Sequence, residues 1–239
     1  MLITAPSDRE YSAVRNHGLS ICFLVLFIAA LVGQSIAGHA EYNDDEVAHA
    51  QLLHEQPETL SFGRYIVSSS FGQAVMENWQ SEYLQFTLYI VGTVWLLQGG
   101  SPESKELDKS GRESDEEQLV GEYATEDSPA WARVRGVRLW LYSNSLLLVM
   151  GTVFLGSWFA QSVTGWSAYN ADQIEHQDTT VNWLGYLGTA EFWETTLQNW
   201  QSEFLAVGSF AVMAIYLRQR GSPESKPVGA PHDATGVEG

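Results

Sequence analysis

Residues 19–37 read LSICFLVLFIAALVGQSIA, nineteen positions without a charge. A helix needs about 20 predominantly apolar residues to cross the hydrocarbon core of a bilayer, so this run predicts a span. Residues 143–167, SNSLLLVMGTVFLGSWFAQSVTGWS, are equally uncharged. Residues 83–98 and 204–217 are shorter, but each is preceded by Asn-Trp-Gln-Ser-Glu, a stretch suited to the headgroup level. The expected fold is an all-α membrane protein with four transmembrane helices.

Whole-chain averages conceal this. The chain has 239 residues, a net charge of −17 and a mean hydropathy of −0.12, values that describe an acidic soluble domain only if apolar residues are spread evenly. They are clumped. The acid excess excludes nucleic acid as a partner, because such a surface repels phosphate. One cysteine, Cys22, allows neither an intramolecular disulfide nor a Cys/His zinc site, and its place in an apolar run predicts a small packed hydrophobe.

Charge placement tests the spans independently of hydropathy, since cytoplasmic loops retain Lys and Arg. Arg9 and Arg15 precede the first span, six cations from Lys105 to Arg138 separate the second from the third, and Arg218, Arg220 and Lys226 follow the fourth. Eleven of the 12 cations thus fall on one side, and only Arg64 lies opposite. The expected topology places both termini in the cytoplasm and residues 38–78 and 166–199 outside. A cleavable signal peptide is the rival reading of the first run, but the third span has the same flanks in mid-chain, where no cleavage signal belongs.

The chain is also written twice. Asn78-Trp79-Gln80-Ser81-Glu82 recurs as Asn199-Trp200-Gln201-Ser202-Glu203, and Gly100-Ser101-Pro102-Glu103-Ser104-Lys105 recurs as Gly221 to Lys226, both at a spacing of 121. Upstream the spacing is 127, pairing Gln34-Ser35 with Gln161-Ser162, Gly38 with Gly165, Tyr42-Asn43 with Tyr169-Asn170, Asp45 with Asp172 and His49 with His176. The second loop is therefore six residues shorter. Two spans per copy keep both copies in one orientation, which predicts parallel repeats about an axis along the membrane normal and disfavours the inverted repeats of many transporters. The expected organisation is a first hairpin over 1–105, an acidic disordered linker over 106–128, a second hairpin over 129–226 and a disordered tail over 227–239. An interfacial helix is expected from Ser128-Pro129 into the third span.

Packing the hairpins about that axis would gather Gln34, Ser35, Asn78, Glu82, Gln161, Ser162, Asn199 and Glu203 into one outer-leaflet polar layer. Glu82 and Glu203 are costly there unless they face water, a cation or each other. Three readings stand: first-turn acids favoured by the helix dipole, an interhelix latch, or a cation or proton site. Trp79 and Trp200 are placed as interface anchors. Asp45 with His49, and Asp172 with His176, are four apart on helical segments, a spacing able to share a metal, with a solvated polar turn as the plainer reading. Phe62, Tyr65, Ile66 and Phe71 match Trp183, Tyr186, Leu187 and Phe192, aromatics that suit a short segment lying in the outer interface. The Gly-Ser-Pro-Glu-Ser-Lys copies read as helix exits, with glycine ending the helix, proline preventing its continuation and lysine reaching the headgroups.

No histidine lies in a span, which argues against bis-histidine haem, and no phosphate loop, Gly-x-Ser-x-Gly or His-Glu-x-x-His motif occurs. No cofactor is expected. The Arg15-Asn16-x-Gly18-Leu19-Ser20 entry, the Gly33-Gln34-Ser35 helix end, Asn-Trp-Gln-Ser-Glu-[Tyr/Phe]-Leu and Gly-Ser-x-Glu-Ser-Lys resemble a family of small prokaryotic membrane proteins catalogued only as a domain of unknown function. The second copy departs at its entry, Tyr142-Ser143-Asn144-Ser145. The resemblance implies a cell-membrane protein and no particular chemistry. The expected function is a non-enzymatic structural or interaction module whose partners are the lipid bilayer and either a second copy or another membrane protein. The alternatives are a small channel or transporter component using the Glu82/Glu203 layer, and an outer-face metal enzyme using Asp45, His49, Asp172 and His176.

Overall fold

The computed structural model describes residues 16–237; Arg9 and Arg15 of the charge pattern lie outside them. The described residues form seven α-helices and two 3-10 turns, with no strand. The helices are α1 (Gly18–Leu53), α2 (Phe62–Tyr65), α3 (Ser69–Trp95), α4 (Val137–Ser143), α5 (Ser145–Glu175), α6 (Trp183–Tyr186) and α7 (Ala190–Tyr216). The chain divides into two compact units, Met1–Phe71 and Gly72–Gly239.

Among the described residues two helices, α1 and α5, are long and apolar enough to cross a membrane. α3 and α7 are 27 residues each, about 40 Å at 1.5 Å per residue, but their first halves are polar. In α1 the apolar side chains face outward, with Leu19 75% and Phe23 63% exposed. Cys22, expected as a packed hydrophobe, is also exposed, because the first unit contains only α1, α2 and the first turn of α3 and has little to bury it against.

In the first unit α1 receives the returning chain at two points. A Cβ on Gly38 would overlap the Tyr65 hydroxyl, so the bare helix surface there is what admits the phenol ring. One turn further, Asn43 clasps a main-chain amide: the Leu60 N–H donates to Asn43 Oδ1 (2.7 Å) and Asn43 Nδ2 donates to the Leu60 carbonyl (3.0 Å). His39 Nε2 reaches the same carbonyl at 2.7 Å.

The second unit repeats this device. A Cβ on Gly165 would overlap the Tyr186 hydroxyl. The Val181 N–H donates to Asn170 Oδ1 (2.9 Å), and Asn170 Nδ2 donates to the Val181 carbonyl (2.8 Å). Trp166, standing 127 positions after His39, donates Nε1 to that carbonyl at 2.7 Å. Tyr65 and Tyr186 are therefore buried packing residues, 6% and 1% exposed, whereas the aromatic loop pattern had suggested surface anchors.

Both Gly-Ser-Pro-Glu-Ser-Lys copies form the same turn. Gly100 and Gly221 take φ of +81° and +83°, a region favouring glycine. Ser104 Oγ accepts from the Gln98 N–H and Ser225 Oγ from the Gln219 N–H, each at 2.9 Å. The lysines then part ways. Lys105 Nζ donates to the Gly111 carbonyl (2.9 Å) and pairs with Glu113 (3.1 Å). Lys226, 1% exposed, donates to the carbonyls of Gly100 (2.6 Å), Pro231 (3.2 Å), His232 (2.8 Å) and Ala234 (3.1 Å).

Residues 106–128 run as turns with a 3-10 turn at Gly121–Tyr123, and Arg133 donates to the carbonyls of Thr125 and Glu126. The interfacial helix expected from Ser128-Pro129 is broken in two: a 3-10 turn covers Ala130–Arg133, Gly136 adopts φ +68°, and only then does α4 begin.

The Gly–Tyr contacts make a direct prediction. Gly165→Ala should lower stability by about 1–3 kcal/mol, the usual range for overpacking, as measured by thermal unfolding in detergent. Because the clash is with the phenol oxygen, the penalty should shrink when Tyr186→Phe is also present; an unchanged penalty would show that the ring hydroxyl is not what fills the space.

Candidate functional site

The expected polar layer is only partly assembled. Along α3, Asn78 Nδ2 donates to the Ala74 carbonyl (3.0 Å), Ser81 Oγ to the Asn78 carbonyl (3.0 Å), and Gln85 Nε2 to Glu82 (2.9 Å). Along α7, Asn199 Nδ2 donates to Thr195 (2.9 Å) and Ser202 Oγ to Asn199 (2.8 Å). These side chains serve their own helices. Glu203 lies against Ser81 and within electrostatic reach of Glu82, so the two carboxylates do approach across the α3–α7 pair. In the first unit Ser35 is buried and donates to the Val32 carbonyl (2.8 Å), with Gln34 half-buried beside it.

Gln80, which the sequence reading did not single out, also crosses between α3 and α7. It is fully buried, and its Oε1 accepts from Trp200 Nε1 at 2.7 Å. Trp200 thus acts as a hydrogen-bond donor to the first motif copy rather than as a free interface anchor; Trp79 is half-buried. Trp158 lies 5.5 Å from Trp200 between ring centroids. Gln161, one turn along α5 from Trp158, and Thr196, one turn before Trp200, are also fully buried.

Among the described residues, Gln80 Nε2, both polar atoms of Gln161, Thr196 Oγ1 and Trp158 Nε1 are buried without a hydrogen-bond partner. Each such atom costs about 1–3 kcal/mol. The cost is lower in one direction: removing a buried amide that has no partner can stabilise, whereas removing one that satisfies another group cannot. Gln161→Met should therefore hold or raise the unfolding temperature, and Gln80→Met, which strands the Trp200 N–H, should lower it. Loss of stability in both variants would show that Gln161 is satisfied in solution.

A second cluster is acidic. Glu77 on α3 is half-buried, and its carboxyl is pushed above the usual range by burial and by Glu191, against the lowering effect of the 2.8 Å bond from Gln73. Glu191 is raised in turn by burial, Asp172 and Glu194. Burial, together with Glu191, Glu77 and Tyr169, pushes the Tyr186 phenol up to about 12, so this hydroxyl stays neutral.

Of the metal candidates, Asp172 and His176 meet as an exposed pair, Nδ1 to Oδ1 3.4 Å. The His176 imidazole is raised by its bond to the Asp172 carbonyl and by the Asp172 charge. Asp45 is exposed and His49 half-buried on α1. Among the described residues no group of three or more His, Cys, Asp or Glu is placed to hold a metal ion. What the repeated Tyr-Asn-x-Asp-x3-His constellation supplies structurally is its asparagine, which clasps the returning main chain.

The raised carboxyls fix a pH dependence. A carboxyl that binds its proton more tightly when folded adds stability as pH falls through its folded pKa towards the unfolded value. The wild type should therefore become more stable from pH 7 towards pH 5, and Glu77→Gln should raise the pH 7 unfolding temperature while flattening that slope. An unchanged slope would place Glu77 in solvent.

No curated protein and no solved structure matches the chain. A family model described as a domain of unknown function, DUF6766, matches residues 10–237. With nearly the whole sequence covered by that one model, the chain belongs to the DUF6766 family.

Proposed function

We propose that the chain is an integral membrane protein of four spans, a non-enzymatic structural or interaction module built from two duplicated hairpins. Its N-terminal flank, linker and tail face the cytoplasm. The observation that carries this reading is that each duplicated motif binds its own copy. Trp200 of the second Asn-Trp-Gln-Ser-Glu donates to Gln80 of the first, and Lys226 of the second Gly-Ser-Pro-Glu-Ser-Lys donates to Gly100 of the first. One contact near the middle of the pair and one beyond its exit, met in the same order along both helices, require α3 and α7 to run parallel, as repeats with an even number of spans would.

The spacing of the two ties supports the membrane placement. Gln80 and Gly100 are 20 residues apart; the helix runs from Gln80 to Trp95, about 22 Å, and non-helical chain covers the rest, a path of the same order as the roughly 30 Å hydrocarbon core of a bilayer. Residues 83–98 and 204–217 between the ties are the apolar stretches, and the polar halves of α3 and α7 lie beyond them. The outward-facing Leu19, Phe23, Leu146 and Val149 of α1 and α5 are the side chains a lipid environment would cover. The lipid bilayer is accordingly the first partner, and a second copy or another membrane protein would dock on the remaining apolar surface.

Two sites distinguish four spans from two. With only α1 and α5 spanning, residue 108 would be external and residue 180 cytoplasmic; with four spans these are reversed. In a Cys22→Ser background, Asp108→Cys should resist a membrane-impermeant maleimide applied to intact cells, whereas Thr180→Cys should react. The opposite pattern would overturn the four-span reading.

A further inference from the structure

Within the second unit, α5, α6 and α7 form an open-sided cavity of about 260 Å³, walled by Trp158, Phe159, Trp183, Phe192 and Trp193 together with two leucines and a serine. This is just below the usual range for sites of drug-sized ligands, about 300–1,000 Å³, so it suits a small group rather than a large molecule. Several of the rings stand nearly perpendicular: Phe159 to Trp183 at 74°, Trp158 to Trp193 at 73° and Phe192 to Trp193 at 77°. Trp158 and Phe192 are nearly parallel, at 14°, so Trp193 stands across a stacked pair and the site presents both ring faces and ring edges. Two indole donors are already used internally, Trp183 Nε1 on Ser162 Oγ (3.1 Å) and Trp193 Nε1 on the Leu187 carbonyl (3.0 Å).

Comparison of the two copies shows that this site is an addition to the shared architecture. At the repeat spacings, Trp158, Phe159, Trp183 and Trp193 correspond to Leu31, Val32, Phe62 and Gly72. Glu191 and Glu194, flanking Phe192 and Trp193, correspond to Ser70 and Gln73, and Gly185 stands where the first copy has Arg64. The second copy has three tryptophans and two carboxylates where the first has none of these, and it lacks the loop cation. Residues 166–199 carry Asp172, Glu175, Asp178, Glu191 and Glu194 with no Lys or Arg. Aromatic faces attract cations through their quadrupole, and boxes of them recognise quaternary ammonium groups. An acidic, cation-free surround raises the local concentration of such a group and repels phosphate and carboxylate.

We propose that this cavity binds a quaternary ammonium group, carried either by a small free cation or by the headgroup of a choline lipid. The cavity lies within one compact unit, so the proposal goes beyond the four-span reading and does not depend on it.

Full-length protein in uncharged maltoside micelles is titrated with choline and, separately, with its uncharged carbon isostere 3,3-dimethylbutan-1-ol, binding being followed by saturation-transfer NMR. In lipid nanodiscs, retention of phosphatidylcholine over phosphatidylglycerol is read by native mass spectrometry. Choline should bind saturably and the isostere about tenfold more weakly. Trp193→Leu and Phe159→Leu should abolish binding, and the Glu191→Gln/Glu194→Gln pair should weaken it several-fold. Circular dichroism verifies the fold of each variant, and Phe159, 60% exposed, is a position whose replacement leaves packing intact. Choline binding without selective phosphatidylcholine retention supports a free cation. Phosphatidylcholine retention that Trp193→Leu removes, without choline binding, supports the lipid headgroup. Equal binding of the isostere, absence of both forms of binding, or unchanged binding in folded Trp193→Leu would overturn the proposal.

Discussion

A lysine ammonium with four main-chain carbonyls around it holds the exit end of the second unit together. An ammonium withdrawn from water is costly unless its donors are satisfied. Lys226 Nζ has three hydrogens and four carbonyl neighbours within 3.2 Å, so at least one hydrogen is shared and no donor is left over. One of those carbonyls, Gly100, belongs to the exit of α3, and three, Pro231, His232 and Ala234, belong to the tail beyond α7. The side chain therefore couples two demands: α3 and α7 must end side by side, and the tail must wrap back over them. Other contacts follow from that wrap. Thr235 Oγ1 accepts from the Gly100 N–H at 2.8 Å, the Gly236 N–H donates to the Ser101 carbonyl at 3.0 Å, and Arg218 donates to the Ala230 carbonyl at 3.0 Å. Gly100 must itself be glycine, since a Cβ at its positive φ would meet the His232 carbonyl.

Midway along α3 and α7, Trp200 bonds to Gln80 beside the contact of Glu203 with Ser81, and the choice of that glutamine shows where sequence reading stops. The motif was legible from its repetition, and its polar stripe from the helical spacing of Asn78, Ser81, Glu82 and Gln85. At 100° per residue, Gln80 points about 200° away from Asn78 and from Glu82. In a soluble helix the polar stripe faces water and the opposite face packs. Where the surroundings are apolar, that inference loses its sign, and the pattern cannot say which stripe meets protein. The structure buries Gln80, Ser81, Gln161 and Thr196 and leaves Asn78 and Glu82 exposed.

The loops were legible in another sense. The change of spacing from 127 to 121 located six extra residues between His49 and Phe62 in the first copy. The asparagine clasps explain why that difference is tolerated. Asn43 and Asn170 each bind both polar groups of one residue on the returning chain, so the length of chain between clasp and helix is free while its point of return is fixed. A buried amide pairing with main chain leaves no charge pattern or metal spacing to read, which is why Asp45, His49, Asp172 and His176 drew attention and the asparagine between tyrosine and aspartate did not. The Gly–Tyr contacts are legible only in retrospect: the glycines recur at one spacing, the tyrosines at the other, and neither alone names its partner.

Duplication separates what the fold requires from what it allows. The features held in both copies are geometric: glycine under tyrosine, asparagine on main chain, serine closing the exit turn. Each needs one residue type because a small surface, a two-ended amide or a short hydroxyl is the only side chain that fits. Where the copies differ, the geometric requirement is absent. Trp166 and His39 share only the ability to place a ring N–H on a carbonyl, and either suffices. Trp158, Phe159, Trp183 and Trp193 answer no such requirement, because the first copy forms its own Gly–Tyr and Asn contacts with leucine, valine, phenylalanine and glycine in their places. Three aromatic rings at positions where the first copy has none, Trp158, Phe159 and Trp193, beside two carboxylates also unique to that copy, are not required by the contacts the two copies share. Chemistry specific to this protein therefore has its best-defined location there.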